Sequence, residues 1–350
     1  MNDEIIYDNK TILITGGAGT IGSNIAQKLV NKDINDLILL DKNENDLYLN
    51  YRDLQKNTRN NTKVIPIIAN IRDQNRIKDI FLKYKPDIII HTAALKQVPL
   101  LEENPKEAFK TNIEGTLNLI EESNNIRANY FIYISTDKAV NPTNIMGATK
   151  RIGEIILNQY PTKTKKIAVR LGNVYGSAGS VVPIFKQQIN EGGPITITHE
   201  KAKRFFITIS KATDLILEAI NLGKDNELFV LNMGEQRKIK EIAKELCEEY
   251  GLELKKDLKV DYIGLREGEK IKEELFYEEE KIEMTEKENI YSLKQIQSNI
   301  DILNKIKEID KFIKNNSDDN QIRKMIFRLV NECNNNLDSK NDDNLLTQSI

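Results

Sequence analysis

Four consecutive residues, Ser135-Thr136-Asp137-Lys138, close the apolar run "YFIYIS" and set a hydroxyl, a carboxyl and an amine side by side. A second amine, Lys150, follows at the end of the stretch "NPTNIMGATK". A neutral amine removes a proton from carbon beside a carbonyl, and a protonated carboxyl donates to a departing hydroxyl. Both tasks need shifted pKa values, the lysine down and the aspartate up, which burial and mutual proximity can supply. The competing reading is a surface ion pair at a strand end.

A second chemical signal lies near the N-terminus. "TGGAGTIG" (Thr15–Gly22) contains Gly17, Gly19 and Gly22 in G-x-G-x-x-G spacing, and Gly16 starts the overlapping G-x-x-G-x-x-G. Such glycines turn the chain sharply, admit a pyrophosphate to the backbone and let a helix pack closely on a strand. The amides that open the helix at Thr20 and Ile21 then face the phosphates. Asp41 ends the next apolar run, at the distance where an acid binds an adenosine ribose hydroxyl. A carboxylate there favours NAD over NADP, and neighbouring Lys42 weakens that preference. Asn70 and Ile71 open "NIRD" after a third run, within reach of an adenine. In "HTAALKQVPLLEENP", the small Thr92, Ala93 and Ala94 let a flat nicotinamide pass the backbone, and Lys96 faces a phosphate or hydroxyl, or only solvent. Asn112 in "TNIEGTLNL" either holds backbone near the site or is an ordinary buried asparagine.

The elements that must position these groups are legible. Strands are expected at Thr11–Thr15, Leu37–Asp41, Val64–Ile68, Asp87–His91, Tyr130–Ser135 and Ile167–Leu171, with helical patterns between them. Near-continuous apolar strands alternating with helices mean a parallel sheet covered on both faces. With the glycine loop, this predicts an α/β fold: a Rossmann-type, doubly wound parallel sheet with a smaller C-terminal α/β substrate lobe. The expected division is 1–172 for the dinucleotide-binding domain, with parts of the later chain packing back, and 173–314 for the substrate lobe. Residues 315–350 are read as a linker (Asn315–Asn320), an accessory helix and a polar tail fraying from Asn334. Ile322, Met325, Ile326, Leu329, Val330 and Cys333 share one face of that helix, to dock on the body or on a neighbouring subunit.

Bulk properties exclude several classes. The 350 residues, 39% hydrophobic and 30% charged, suit one large domain or two packed lobes. A net charge of −2 offers no footprint for nucleic acid. No apolar run is long enough to span a bilayer, and "MNDEIIYDNK" lacks the order of a signal peptide. Cys247 and Cys333 stand far apart, which suits a reduced cytoplasmic protein. His91 and His199 are the only histidines, so no multi-histidine metal site is expected.

The segments "TGGAGTIGS", "HTAALKQVPLLEENP", "STDKAVNPTNIMGATKRIGE", "RLGNVYGSAGSVVPIFKQQI", "RFFITIS" and "LREGEKIKEELF" occur in that order. Together, over roughly Lys10 to Phe276, they resemble the CapD-like polysaccharide-biosynthesis family of UDP-N-acetylglucosamine 4,6-dehydratases, within the extended short-chain dehydrogenase/reductase superfamily. The resemblance implies an NAD-dependent lyase that turns UDP-N-acetylglucosamine into a 4-keto-6-deoxy sugar nucleotide. It implies Asp137 as acid, Lys138 as the base at C5 and Thr136 as orienter of the C4 oxygen. Lys150 would hold the nicotinamide ribose. Short-chain dehydrogenases carry a tyrosine four residues before that lysine; here the position is Met146, as in some family members, and a thioether takes no proton. Asp137, through Thr136, is then the candidate acceptor of the C4 hydroxyl proton. The resemblance supports Arg204 and Arg266 as a clamp on the substrate diphosphate and Asn173 as a partner of a sugar or phosphate oxygen; Lys96 is a further candidate, Val181 opens a helix after a small-residue loop that suits uracil, and Glu269 and Lys270 in "REGEK" either join the site or form a surface ion pair. Some members carry an N-terminal membrane region, and only the catalytic part is expected here. Extended relatives usually associate, so a homo-oligomer is expected. The rivals are a nucleotide-sugar epimerase on the same scaffold and a non-catalytic NAD-sensing module.

Overall fold

The computed structural model describes residues 6–58, 62–294, 300–315 and 318–345, the last of these as backbone alone from 335 onward. Its centre is a nine-stranded sheet. The strands are β1 (Thr11–Thr15), β2 (Asp36–Asp41), β3 (Lys63–Ile68), β4 (Ile88–His91), β5 (Tyr130–Thr136), β6 (Lys165–Leu171), β7 (Glu227–Leu231), β8 (Ile282–Met284) and β9 (Ile290–Leu293). Their order is β8-β9-β7-β6-β5-β4-β1-β2-β3. The block from β7 to β3 is parallel, and β9 and β8 close its edge antiparallel. Ile12, Leu13 and Ile14 of β1 and Ile88, Ile89 and Ile90 of β4 have no exposed surface, because helices cover both faces.

Strand order reverses between β1 and β4, and a doubly wound sheet opens its ligand crevice at such a point. Register brings the relevant strand ends together: Thr15 pairs with His91, His91 with Tyr133, and Thr136 with Leu171. The residues just beyond, Gly16, Thr92, Asp137 and Gly172, therefore share one edge.

A second, smaller core packs Val182, Phe185 and Ile189 against Ile242, Ala243 and Leu246. These come from helices Val181–Asn190 and Ile239–Glu249, beside the parallel pair Ile195–Ile197 and Val260–Tyr262. The hairpin β8–β9 carries little sequence signal, since β8 is exposed along its length and shows no apolar run. Helix Ile302–Lys314 buries Ile302, Ile306, Ile309 and Ile313 in the main core. The next helix, Asp319–Leu345, buries Ile322, Ile326, Leu329, Val330 and Cys333 there too. It runs on through the polar stretch whose composition predicts fraying: a helix anchored by its first turns propagates at small cost per residue. Residues 316 and 317 of the expected linker lie outside the described residues.

Candidate active site

The carboxyl ends of β1, β4, β5 and β6 open into one cavity of about 550 Å³. On one side stands the glycine loop. Gly16 turns with φ +70°, and a Cβ there would meet the Ala93 amide nitrogen and Thr92 Oγ1 at 2.7 Å. A Cβ on Gly22 would lie 2.3 Å from the Gly16 carbonyl oxygen. Gly19 caps helix Thr20–Leu29 without a side-chain hydrogen bond, so the first-turn amides remain available to an anion. Gly16, Gly19, Thr20 and Ile21 line the cavity, whereas Gly17 packs against Leu39 and Gly22 against Gly16.

The rest of this cradle matches in composition. Asp41, Asn70, Ile71, Ala93, Ala94 and Lys96 all line it. Asp41 accepts from the Ala18 and Asn43 amides, each at 3.0 Å, and so joins the glycine loop to the end of β2. Asn70 accepts from the Arg72 amide at 3.1 Å and shapes its own turn. Asn112 holds Leu95 by both backbone groups, at 2.8 and 3.0 Å, which fixes the loop after β4. Burial lowers the Lys96 amine. Ser177, Gly179 and Val181 cover the cavity from the other lobe, and Thr20 Oγ1 accepts from the Ala178 amide at 3.3 Å.

The tip of β5 differs from expectation in two respects. Thr136, Lys138, Met146 and Lys150 line the cavity, but Asp137 does not. The 3-10 turn Asp137–Ala139 directs Asp137 inward, where it has no exposed surface. Its Oδ1 accepts from Thr136 Oγ1 and from Lys138 Nζ, each at 2.9 Å; its Oδ2 is buried without a partner, near Gly172. The acid thus reaches the cavity only through the threonine hydroxyl and the lysine amine. Lys138 is the second correction. Burial alone would pull its amine down, but Asp137 and then Glu273, 3.6 Å away, outweigh burial and raise it above the ordinary lysine value, with Arg204 opposing. Proximity to carboxylates wins over desolvation because the first partner is in direct hydrogen-bond contact. Lys138 Nζ also donates to Asn173 Oδ1 at 3.0 Å.

Lys150 behaves as burial dictates. Its amine is pushed down to about 8, against the pull of Glu154. It donates to the Ile134 carbonyl at 2.8 Å and lies 4.5 Å from the centre of the Tyr133 ring. Tyr133 supplies no replacement phenol for Met146: burial and Glu154 raise it well above the ordinary tyrosine value, and it is absent from the cavity wall. Gly147 lets the first turn of helix Ile145–Gln159 sit on this tip, since a Cβ would come within 2.1 Å of the Lys138 carbonyl oxygen.

A buried ion cluster holds these elements together. Arg170 on β6 pairs with Glu154 at 2.8 Å and with Glu280 at 2.8 Å, and donates to the Leu275 carbonyl. Ser135 Oγ donates to Glu154 at 2.6 Å, and Arg151 adds a pair at 3.0 Å. Burial pushes Glu154 up, but the two arginines and Ser135 bring it down to about 2. Sequence reading passed over this cluster. The signal was an arginine inside the apolar strand "IAVRL", which demands buried counter-charge.

The substrate-side residues divide. Arg266 and Lys96 reach the cavity, and Arg266 is exposed. Arg204 lines it as well, but its guanidinium is committed to Glu269 at 2.8 Å, to Glu273 at 3.5 Å and to the Lys203 carbonyl at 2.7 Å. Glu269 also accepts from Thr198 Oγ1 at 2.8 Å and from the Arg266 amide at 3.2 Å, so it organises the loop. Lys270 turns away to the Val140 carbonyl and Glu274. Glu273, on the cavity wall, was not singled out by sequence reading.

A doubly wound sheet with a glycine-loop cradle, facing a hydroxyl and two amines across one cavity, defines an extended short-chain dehydrogenase/reductase fold. Within that class, the chain belongs to the polysaccharide biosynthesis protein family, whose model matches residues 12–295. It is 45% identical over 275 residues to the capsular polysaccharide biosynthesis protein CapD of Staphylococcus aureus, an alignment covering 78% of this chain and 46% of CapD. The chain therefore spans about half the length of that relative. A protein named UDP-glucose 4-epimerase from Rickettsia prowazekii is 33% identical over 283 residues, 79% of this chain and 80% of its own. The X-ray structure of Pen from Bacillus thuringiensis superposes with a TM-score of 0.75 at 32% identity, over 82% of this chain and 90% of Pen. Among the described residues no helix is long and apolar enough to cross a membrane.

Proposed function

We propose that this chain catalyses the NAD-dependent 4,6-dehydration of UDP-N-acetylglucosamine, yielding a 4-keto-6-deoxy sugar nucleotide for surface polysaccharide or glycoprotein sugars. One observation carries the reading: the Thr136 hydroxyl and Lys138 amine, backed by the Asp137 carboxylate, share a cavity with a glycine cradle that side chains would fill. The cradle fits a dinucleotide, because Gly16 and Gly22 leave no room for a Cβ and the helix after Gly19 begins uncapped. Asp41 suits the ribose of NAD, and Lys150 the ribose on the nicotinamide side. A nicotinamide dinucleotide held there supplies reversible hydride-transfer chemistry.

The protein's own residues then manage protons. Thr136 bridges the C4 hydroxyl to Asp137 and passes its proton to the carboxylate, a route that needs no phenol at Met146. As Asp137 gains that proton, its hold on Lys138 weakens, so the amine releases a proton to solvent more readily before the step that needs a base, and takes one back from solvent when the cycle ends. Lys138 takes the C5 proton of the 4-keto hexose, exchanges its amine protons with solvent, and delivers a proton to C5 later. The proton held at Asp137 leaves with the C6 hydroxyl as water, which balances the overall loss of one water. Exposed Arg266, with Lys96, suits the diphosphate.

The test is incubation with NAD and UDP-N-acetylglucosamine, read by mass spectrometry and by NMR in deuterated water. A product lighter by one water, with deuterium at C5, is expected. The 33% identity to an epimerase-named protein supports a second reading, in which product and substrate have equal mass. Sugar unchanged at high enzyme concentration would remove both.

The cradle has its own check. Gly22→Ala forces a Cβ against the Gly16 carbonyl, and overpacking of this kind costs about 1–3 kcal/mol. The variant is expected to melt earlier than the parent and to lose the stabilisation that NAD confers, both read by thermal shift with and without NAD.

A further inference from the structure

Two carboxylates stand behind the Lys138 amine, and only one belongs to the Thr-Asp-Lys triplet. The other, Glu273, arrives from "REGEKIKEELF", far along the chain. It is 5% exposed, its Oε1 lies 3.6 Å from Lys138 Nζ and 3.5 Å from Arg204 Nε, and its Oε2 is buried without a partner. Its backbone is pinned on both sides: the Gln236 side chain donates to the Glu273 carbonyl at 2.8 Å and accepts from its amide at 3.1 Å. A pinned, buried carboxylate with an empty acceptor is expensive in packing terms alone, because desolvation is only partly compensated. Its placement makes sense if the charge beside Lys138 matters.

We propose that Glu273 is a positioning residue for Lys138, the second of two buried carboxylates that hold its amine at the cavity wall and balance its charge. The proposal rests on the reading above, in which Lys138 is the proton-transfer group. When Asp137 takes a proton, Glu273 is the anion left beside the amine, with Arg204 beyond it as the opposing cation and Asn173 as a neutral acceptor. Glu273 therefore governs the pH at which Lys138 becomes a base.

The experiment reads Lys138 itself. The full-length chain is labelled with trace acetic anhydride across a pH series, and the extent of Lys138 acylation is measured by peptide mass spectrometry. In Glu273→Gln, half-labelling of Lys138 should move to lower pH, because an anion that raises it has been removed. Glu273→Asp, which keeps the charge, should return it toward the parent value. Arg204→Gln removes an opposing cation and should move it to higher pH, which gives an independent arm should Glu273→Gln fail to fold. With UDP-N-acetylglucosamine, the rising pH limb of kcat should move to lower pH in Glu273→Gln and return toward the parent in Glu273→Asp, while KM of these two variants stays at the parent value. An unmoved Lys138 profile in folded Glu273→Gln, or in Arg204→Gln, overturns the proposal, as does a change confined to KM. If the parent enzyme fails to dehydrate the sugar, the functional reading falls, while the labelling arms still decide the role of Glu273.

Discussion

Lys138→Met is expected to lower kcat for dehydration by about 10²–10⁴-fold, the usual contribution of a positioned acid or base. Methionine keeps the length and apolar stem of lysine and removes only the amine. The substitution leaves the cradle, Arg266 and Lys96 in place, so KM should change far less than kcat. Deuterium incorporation at C5 should fall in parallel with product, since the same amine removes the C5 proton and delivers the solvent-exchanged one. Asp137→Asn should also depress kcat, through a different link: the amide cannot take a proton through Thr136 Oγ1, which now donates to Asp137 at 2.9 Å. Near-parental turnover in Lys138→Met would end the claim that this amine is the base. So would C5 exchange that survives while product is lost.

Arg170→Met is expected to produce the largest loss of stability. It would take the Arg170 pair, 2.8 Å in each case, from Glu280 and from Glu154, and leave Glu154 only Arg151 and Ser135 against its buried charge. Breaking a buried pair from one side costs about 3–5 kcal/mol. At about 1.4 °C per kcal/mol for a chain of this length, the thermal midpoint should drop by about 4–7 °C. The double variant Arg170→Met/Glu154→Gln should recover part of it, because the buried charge on the active-site helix is gone. The pH dependence has a definite sign. Glu154 is lowered to about 2 from an ordinary 4.5, so its contribution is complete above the ordinary value and fades as pH falls toward 2. The gap between parent and variant should therefore narrow on acidification through that window. A pH-independent gap would mean that the loss came from packing and not from charge. The consequence for catalysis is positional: the cluster ties β6, Ser135 at the tip of β5 and the helix bearing Lys150 to the segment after Glu273. Misalignment there should cost kcat in whatever fraction of the variant remains folded.

Much of the framework was legible from the chain alone, for identifiable reasons. The first six strands and the glycine loop are local features, written as apolar runs and as glycines that tolerate only one kind of neighbour. Asp41, Asn70 and Ala93 could be assigned to the cradle because a strand end in a doubly wound sheet has only one place to go. The edge hairpin β8–β9 was missed, since β8 is exposed and the four-residue β9 buries only its two end residues, Ile290 and Leu293. Asn112 was readable only as a choice between two roles, and its contacts with Leu95 decide for the loop.

The sequence by itself determined that a hydroxyl, a carboxyl and an amine sit at the end of β5, beside a helix with methionine where a phenol would stand. Those are facts of order and spacing. Only the tertiary structure decided which of the three faces the cavity: a 3-10 turn sends Asp137 inward and leaves Thr136 and Lys138 on the wall. It also decided the sign of the Lys138 shift, because the second carboxylate comes from residue 273, and charge acts through distance in space, not separation along the chain.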